Sequence, residues 1–308
     1  MNNTWKIYML TLISFLVGTS QFVISGILDE IATSVGVSLS AAGRQAGAMS
    51  NVSLGFSASL VFGVPIGRVV AAVYDWKVIF WGIGLFTLIG IFAVAKVIPS
   101  TKGEASVPLG KQLALLKTPK IATALGVTFF VFVGYSVVNT YITPFLTSVM
   151  SLSGGVVSVI LFVLGIASLI GSKLGGFLAD RNGTARTLVI SMFVQALSLA
   201  LLSIAPGPNF VGIPLLILWT IAAWTFGPTQ NFNLLSLAPE APGIMLSINS
   251  TFVQLGFAVG AGIGGVTVGR SSILSICWIG AVAVAAAVVV ASVSCGLTRT
   301  LSKRAATE

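Results

Sequence analysis

An all-α polytopic membrane bundle is the fold class that this sequence predicts, and three observations carry the prediction. Of its 308 residues, 56% are hydrophobic and only 7% charged, against about 25% charged in an average soluble domain. The mean hydropathy is +1.05. The 16 basic and 7 acidic residues are so placed that charge-free windows run over 7–28, 45–67, 78–95, 121–172, 187–239, 241–269 and 271–298. A helix needs about 20 apolar residues to cross a bilayer, so each window holds one helix or two. A soluble enzyme, a nucleic-acid binder and a disordered tail are all excluded, because none can be surfaced with so few charges.

The elements follow in order. Turn residues divide the two longest windows, at Ser151-Leu152-Ser153-Gly154-Gly155 and at Pro206-Gly207-Pro208-Asn209. Nine spans result, at about 7–28, 47–70, 78–98, 121–143, 155–178, 186–206, 211–237, 245–268 and 273–296. All are helices, since backbone groups in lipid must be satisfied within the segment and the ten-residue alternation of barrel strands is absent. The first span is read as a retained helix and not a signal peptide: only Lys6 precedes it and no small-x-small cleavage site follows. Residues 96–120, with five lysines, Glu104, Pro99 and Pro108, form the one long polar stretch. The chain thus divides into a front part at 1–98, a linker at 99–120 and a six-span rear part at 121–308. Leu109 to Leu116 within the linker has the pattern of a short amphipathic surface helix or of a plain solvated connector.

The net charge of +9 is a matter of topology. Basic residues gather at 96–120, 173–186 and 299–304, which are separated by even numbers of spans and so face one side together. That is the positive-inside pattern, with the C-terminus cytoplasmic, and not a phosphate-tracking patch. The lipid bilayer is therefore the expected partner and nucleic acid is not. Parity then puts the N-terminus of span 7–28 outside, with only Lys6 against Arg44 to decide it; the first helix is inverted or one front segment does not cross. The absence of His removes histidine relays and His-based metal sites. Cys277 and Cys295, about 27 Å apart on one helix, lie beyond the roughly 7 Å reach of a disulfide. No metal or cofactor is expected, and no span pairs a nucleophile with a base, so no enzyme is expected either.

The motifs resemble a family. Gly176-Phe177-Leu178-Ala179-Asp180-Arg181-Asn182-Gly183, with Arg186 three residues on, resembles the loop motif G-x-L-A-D-R-x-G-x-x-x-R of the major facilitator superfamily. Gly63-Val64-Pro65-Ile66-Gly67 resembles its antiporter motif G-P-x-x-G with Val64 inserted. Leu237-Ala238-Pro239-Glu240-Ala241-Pro242-Gly243, Asn249 and the glycines 256, 260, 264 and 265 look like the eleventh-helix region of its drug-proton antiporter branch. Phe15 to Val23 looks like the first helix of the bacterial arabinose, sugar and chloramphenicol efflux group.

The family has twelve helices in two halves of six. Spans 121–143 to 273–296 resemble helices seven to twelve, 47–70 and 78–98 resemble five and six, and 7–28 resembles one. Helices two to four have no counterpart, and the flanking segments abut at Gly47-Ala48. Three helices with loops amount to roughly 80–90 residues, and removing an odd number inverts whatever precedes the gap.

The resemblance implies a secondary transporter that exports drugs, sugars or small metabolites by alternating access, driven by a proton gradient. Asp180 and Arg181, with Gly176, Gly183 and Arg186, would form the gating motif, a role weighed against that of a solvated loop charge. Gly63, Pro65 and Gly67 would permit an antiport-associated bend. Gln21, Tyr135, Asn139, Gln230, Asn249 and Gln254 fall on cavity-lining helices; ordinary interhelical hydrogen bonding is the other reading. Gly256, Gly260 and Gly264 share one helix face, as a sliding surface between halves or as static packing. Arg68 reads as a snorkelling residue near Asp75.

The missing segment would carry the first-half loop motif and the membrane arginine of helix four. No span holds a mid-membrane carboxylate, Asp29 and Glu30 lying at the end of the first. The chain as it stands is therefore expected to lack proton-coupled transport, with oligomerisation covering its exposed polar face. The alternative is a non-transporting membrane remnant or an accessory partner of an intact carrier.

Overall fold

The computed structural model describes residues 116–204, 209–239 and 241–305, the last stretch from 293 by backbone alone, with scattered positions between 70 and 92. Span 7–28, nearly all of 47–70 and the linker to 115 lie outside the described residues, and with them Gln21, Gly63, Pro65, Gly67 and Arg68. Within span 78–98, residues 81–85 are helical, and Thr87 Oγ1 donates to Ile83 O at 2.8 Å as in a regular helix.

The rear part folds into six long helices: α1 (Pro119–Asn139), α2 (Gly154–Asn182), α3 (Thr184–Ile204), α4 (Asn209–Leu237), α5 (Pro242–Arg270) and α6 (Ser275–Ala305). Each corresponds to one span expected in the rear part, and all six are long and apolar enough to cross a membrane. Proline opens α1 and α5 in the first turn, where its missing N–H costs nothing.

Two departures from the expected boundaries have local causes. Span 121–143 is interrupted: α1 ends at Asn139, and Ile142–Pro144 leads into a π-helical turn at Phe145–Val149. Pro144 cannot donate to the carbonyl of Thr140, so the α-helical ladder stops one turn earlier. The π-turn packs inward through Phe145 and Leu146. The second departure is at the α2–α3 connection, which is a single residue. Gly183 sits at φ 85° and ψ 146°, a region that only glycine enters freely. Its N–H closes α2 on Ala179 O at 3.1 Å, and its carbonyl accepts from the N–H of Thr187 at 3.2 Å. Asp180 and Arg181, expected in a loop, therefore belong to the last turn of α2.

The core is a stack of three apolar clusters. Ile121, Leu125, Leu234 and Met245 fill the end near the α2–α3 connection. Met192, Phe226, Val284 and Ala287 fill the middle. Phe145, Leu146, Leu199, Leu202, Leu216 and Trp219 fill the far end. Helix α1 packs on α5 and α6, α4 packs on α2 and α3, and α3 packs on α6. Exchanging α1 with α4, α2 with α5 and α3 with α6 leaves that pairing unchanged. The six helices are thus two inverted three-helix repeats.

Candidate functional site

Helices α1, α4 and α5 bring together most of the polar residues that the sequence marks inside the rear spans. Near the α2–α3 end, Gln230 of α4 donates through Nε2 to Ala124 O at 2.7 Å and to Thr128 Oγ1 at 3.0 Å. Thr128 Oγ1 in turn donates to Asn249 Oδ1 on α5 at 2.9 Å. Asn249 Nδ2 donates back to Asn231 Oδ1 on α4 at 2.9 Å, and Asn233 Nδ2 donates to Gln230 Oε1 at 3.3 Å. Thr128, Gln230 and Asn249 are buried, and a buried amide left unpaired in apolar surroundings is costly. Gln230 and Asn249 both bond across helix interfaces, so the knot fixes the three helices to one another. Two of the expected cavity residues, Gln230 and Asn249, are members of it. Thr128 escaped the sequence reading because a threonine in a span ordinarily bonds within its own helix.

About 10 Å further along α1, at seven residues, lies an aromatic cluster. Tyr135 is buried and stacks on Trp219 with ring centres 5.4 Å apart. Phe132, Trp224 and Phe257 meet it edge-on, geometries that suit the ring quadrupoles. The Tyr135 hydroxyl accepts a hydrogen bond from Trp224 Nε1 at 3.3 Å. Asn139, one turn on, is half-buried, and Gln254 is exposed on α5; neither joins the knot. Among the described residues, Trp219 Nε1 and Gln195 Oε1 are buried polar atoms without a partner, while Gln195 Nε2 reaches Ala222 O at 3.4 Å. The site therefore has two levels, a hydrogen-bonded knot and an aromatic wall.

Glycine seams hold these helices close. A Cβ added at Gly256 or Gly260 would sit 2.8 Å from Phe132 Cβ or 2.5 Å from Val133 O of α1, and one at Gly264 would meet the Tyr141 ring. Across the seam, Ser136 Oγ donates to Phe257 O at 2.8 Å and Tyr141 Oη to Ala261 O at 3.0 Å. The inverted repeat has its own seam, which the sequence reading missed. Gly171 and Gly175 of α2 press on the carbonyls of Ile221 and Thr225 in α4, and Thr225 and Thr229 donate to the carbonyls of Gly171 and Gly175 at 3.2 and 3.1 Å. Its signal was the four-residue recurrence Ala167, Gly171, Gly175, Ala179, which runs straight into the loop motif.

At the α2–α3 end, Asp180, Arg181 and Arg186 are all exposed. Among the described residues Asp180 makes no ion pair. Gly176 has open space around it, whereas Gly183 is set by its positive φ. No group of three His, Cys, Asp or Glu residues able to hold a metal occurs among the described residues.

Comparisons with known proteins agree with this architecture. The model of the Major Facilitator Superfamily matches residues 23–260, on both sides of Gly47-Ala48. The uncharacterized MFS-type transporter YbcL of Bacillus subtilis (strain 168) is 36% identical over 371 residues, covering 94% of this chain and 95% of the relative. Among solved structures, a bacterial homologue of the iron transporter ferroportin in an outward-facing state is similar at a TM-score of 0.63 and 17% identity, over 84% of this chain and 66% of that one. The transporter FucP in its outward conformation is similar at a TM-score of 0.52 and 17% identity, over 71% of this chain and 53% of that one. At that identity the likeness is one of fold, and the chain spans about two thirds of the first solved structure and half of the second. The family match, the 36% identical relative and the paired inverted repeats lead to one conclusion: this multi-pass membrane protein belongs to the Major Facilitator Superfamily of membrane transporters.

Proposed function

We propose that the chain is an efflux-type secondary transporter of drugs, sugars or small metabolites in the cell membrane, with a front half short by three helices. Its rear half supplies one wall of the substrate path through α1, α4 and α5, and its C-terminus faces the cytoplasm. Asp180 and Arg181 act as the rear gating charges, released or engaged as the halves rock. One observation supports an internal gap. The alignment with YbcL is 371 residues long, this chain has 308, and both proteins are covered almost completely. The difference of 63 is therefore a minimum for internal positions of the relative that lack a counterpart here. Three helices with their loops amount to roughly 80–90 residues, which agrees with a gap of that kind.

Coupled transport then requires the missing helices. The test places the second to fourth helices of YbcL between Gly47 and Ala48 and measures dye, sugar and metabolite efflux in vesicles with an imposed pH gradient. Gradient-dependent export of at least one solute is expected. A restored protein that reaches the membrane folded and moves none of them contradicts the reading.

A further inference from the structure

Polar groups lie at two levels along α1, α4 and α5, and only one level is satisfied. In the knot, the buried side chains of Thr128, Gln230 and Asn249 all have partners. The aromatic level differs. An indole offers one donor and no acceptor, and a phenol offers one donor and one accepting oxygen. Trp219, Trp224 and Tyr135 thus bring three donors to a single accepting oxygen. Trp224 Nε1 takes that oxygen, the Tyr135 hydroxyl, at 3.3 Å. Trp219 Nε1 has no partner among the described residues, although Trp219 is only 1% exposed. The Tyr135 proton likewise donates to no described residue. Buried tryptophan and tyrosine ordinarily find hydrogen-bond partners. Two donors are left over.

Gln195 Oε1, also buried and unpartnered among the described residues, does not complete the set. Its amide approaches α4 from α3, at Ala222 O, whereas the Trp219 ring lies against Tyr135 of α1 with centres 5.4 Å apart. The cluster is not wholly enclosed: Phe132, Trp224 and Phe257 are half-buried, and Trp224 is the residue that touches the Tyr135 hydroxyl. Between their ends, α1, α4 and α5 carry no Asp, Glu, Lys or Arg. A cation here would meet the positive ends of N–H and O–H dipoles with no carboxylate beside it. An anion would find no basic partner. In a low dielectric either charge is costly.

We propose that the aromatic level binds a neutral, planar aromatic molecule through a carbonyl oxygen. The oxygen accepts from the Tyr135 hydroxyl and from Trp219 Nε1, and the ring lies on the aromatic side chains, a division of labour common in small-molecule sites. The proposal rests on the reading of α1, α4 and α5 as one wall of the substrate path, and narrows the solute to this class.

The experiment uses the full chain in nanodiscs, with uptake by empty discs subtracted. Equilibrium dialysis measures three bicyclic probes: coumarin, neutral with a lactone carbonyl; naphthalene, with no acceptor; and N-methylquinolinium, a cation. Trp219→Phe and Tyr135→Phe each remove one donor and keep an aromatic ring, and Gln195→Leu removes the α3 amide. Gel filtration checks folding. Coumarin should bind the native chain more tightly than either other probe. Its affinity should fall about fivefold or more in Trp219→Phe and in Tyr135→Phe and hold in Gln195→Leu, with naphthalene unchanged throughout. If one phenylalanine variant fails to fold, the other decides. The site is overturned by coumarin affinity that survives either folded phenylalanine variant, by an equal loss for naphthalene, or by an equal loss in Gln195→Leu. Tighter binding of the cation, or no coumarin binding at all, overturns it as well. Export separates the two readings. A restored transporter that moves other solutes while coumarin fails to bind leaves the transport reading standing, and coumarin bound with nothing exported leaves this one.

Discussion

Gln230 stands where three helices meet, and its two donated hydrogen bonds end on α1. Interhelical hydrogen bonds in membranes average about 0.6 kcal/mol and reach about 1.7. Gln230→Leu, which removes both, should cost about 1–3 kcal/mol and lower the thermal midpoint in detergent. Asn249→Leu should cost a similar amount, and the double variant less than the sum, because both act through Thr128. Strictly additive losses would mean that the two amides are independent. Asp180 carries a different expectation. Exposed and without an ion pair among the described residues, it adds little to the stability of its own half. Asp180→Asn in a protein with the missing helices restored should lower transport and leave membrane abundance near normal. Equal loss of both would make the residue structural. At this scale the sequence marked which polar residues stand out in a span but not their partners, since Ala124, Thr128 and Gln230 are brought together only by the fold.

Helices α5 and α2 illustrate how small residues act as elements of packing. Gly260 faces a carbonyl of α1 at a distance that no Cβ tolerates, while Gly262 on the same helix faces open space. Gly260→Ala should therefore destabilise the protein clearly, whereas Gly262→Ala should stay within about 0.5 kcal/mol of native or gain slightly from helix propensity. Matching midpoints for the two variants would contradict the seam. Span number and order in the rear part were legible because lipid demands long charge-free runs. Helix ends were less so: charge marks where lipid stops, and α2 continues past that point to Asn182. The α2 seam was hidden because its four-residue recurrence runs straight into the loop motif at Ala179. Orientation belongs to this scale too. In a Cys277→Ser/Cys295→Ser background, a cysteine at Asn209 should label with an impermeant thiol reagent in intact cells, and one at Lys303 should not. The reverse pattern would overturn the positive-inside assignment.

The six described helices pair as two inverted repeats around three stacked core clusters. Nothing in the order of the spans reveals that α1 pairs with α5, or α4 with α2; those pairings depend on contacts between residues about 120 and 54 positions apart. The proposed shortfall in front rests on parity and on the segments that abut at Gly47-Ala48 in the sequence. On the proposed reading, a carrier that rocks two comparable halves about a shared cavity would have three spans to set against six. With no carboxylate in mid-span, it has no evident proton carrier. The most direct measurement compares pH-gradient-driven efflux in vesicles of the 308-residue chain with that of the version carrying helices two to four at Gly47-Ala48. Export by the restored protein alone, at equal membrane abundance, is the expected result. Robust gradient-driven export by the 308-residue chain would contradict it, and the short front half would then be a working architecture.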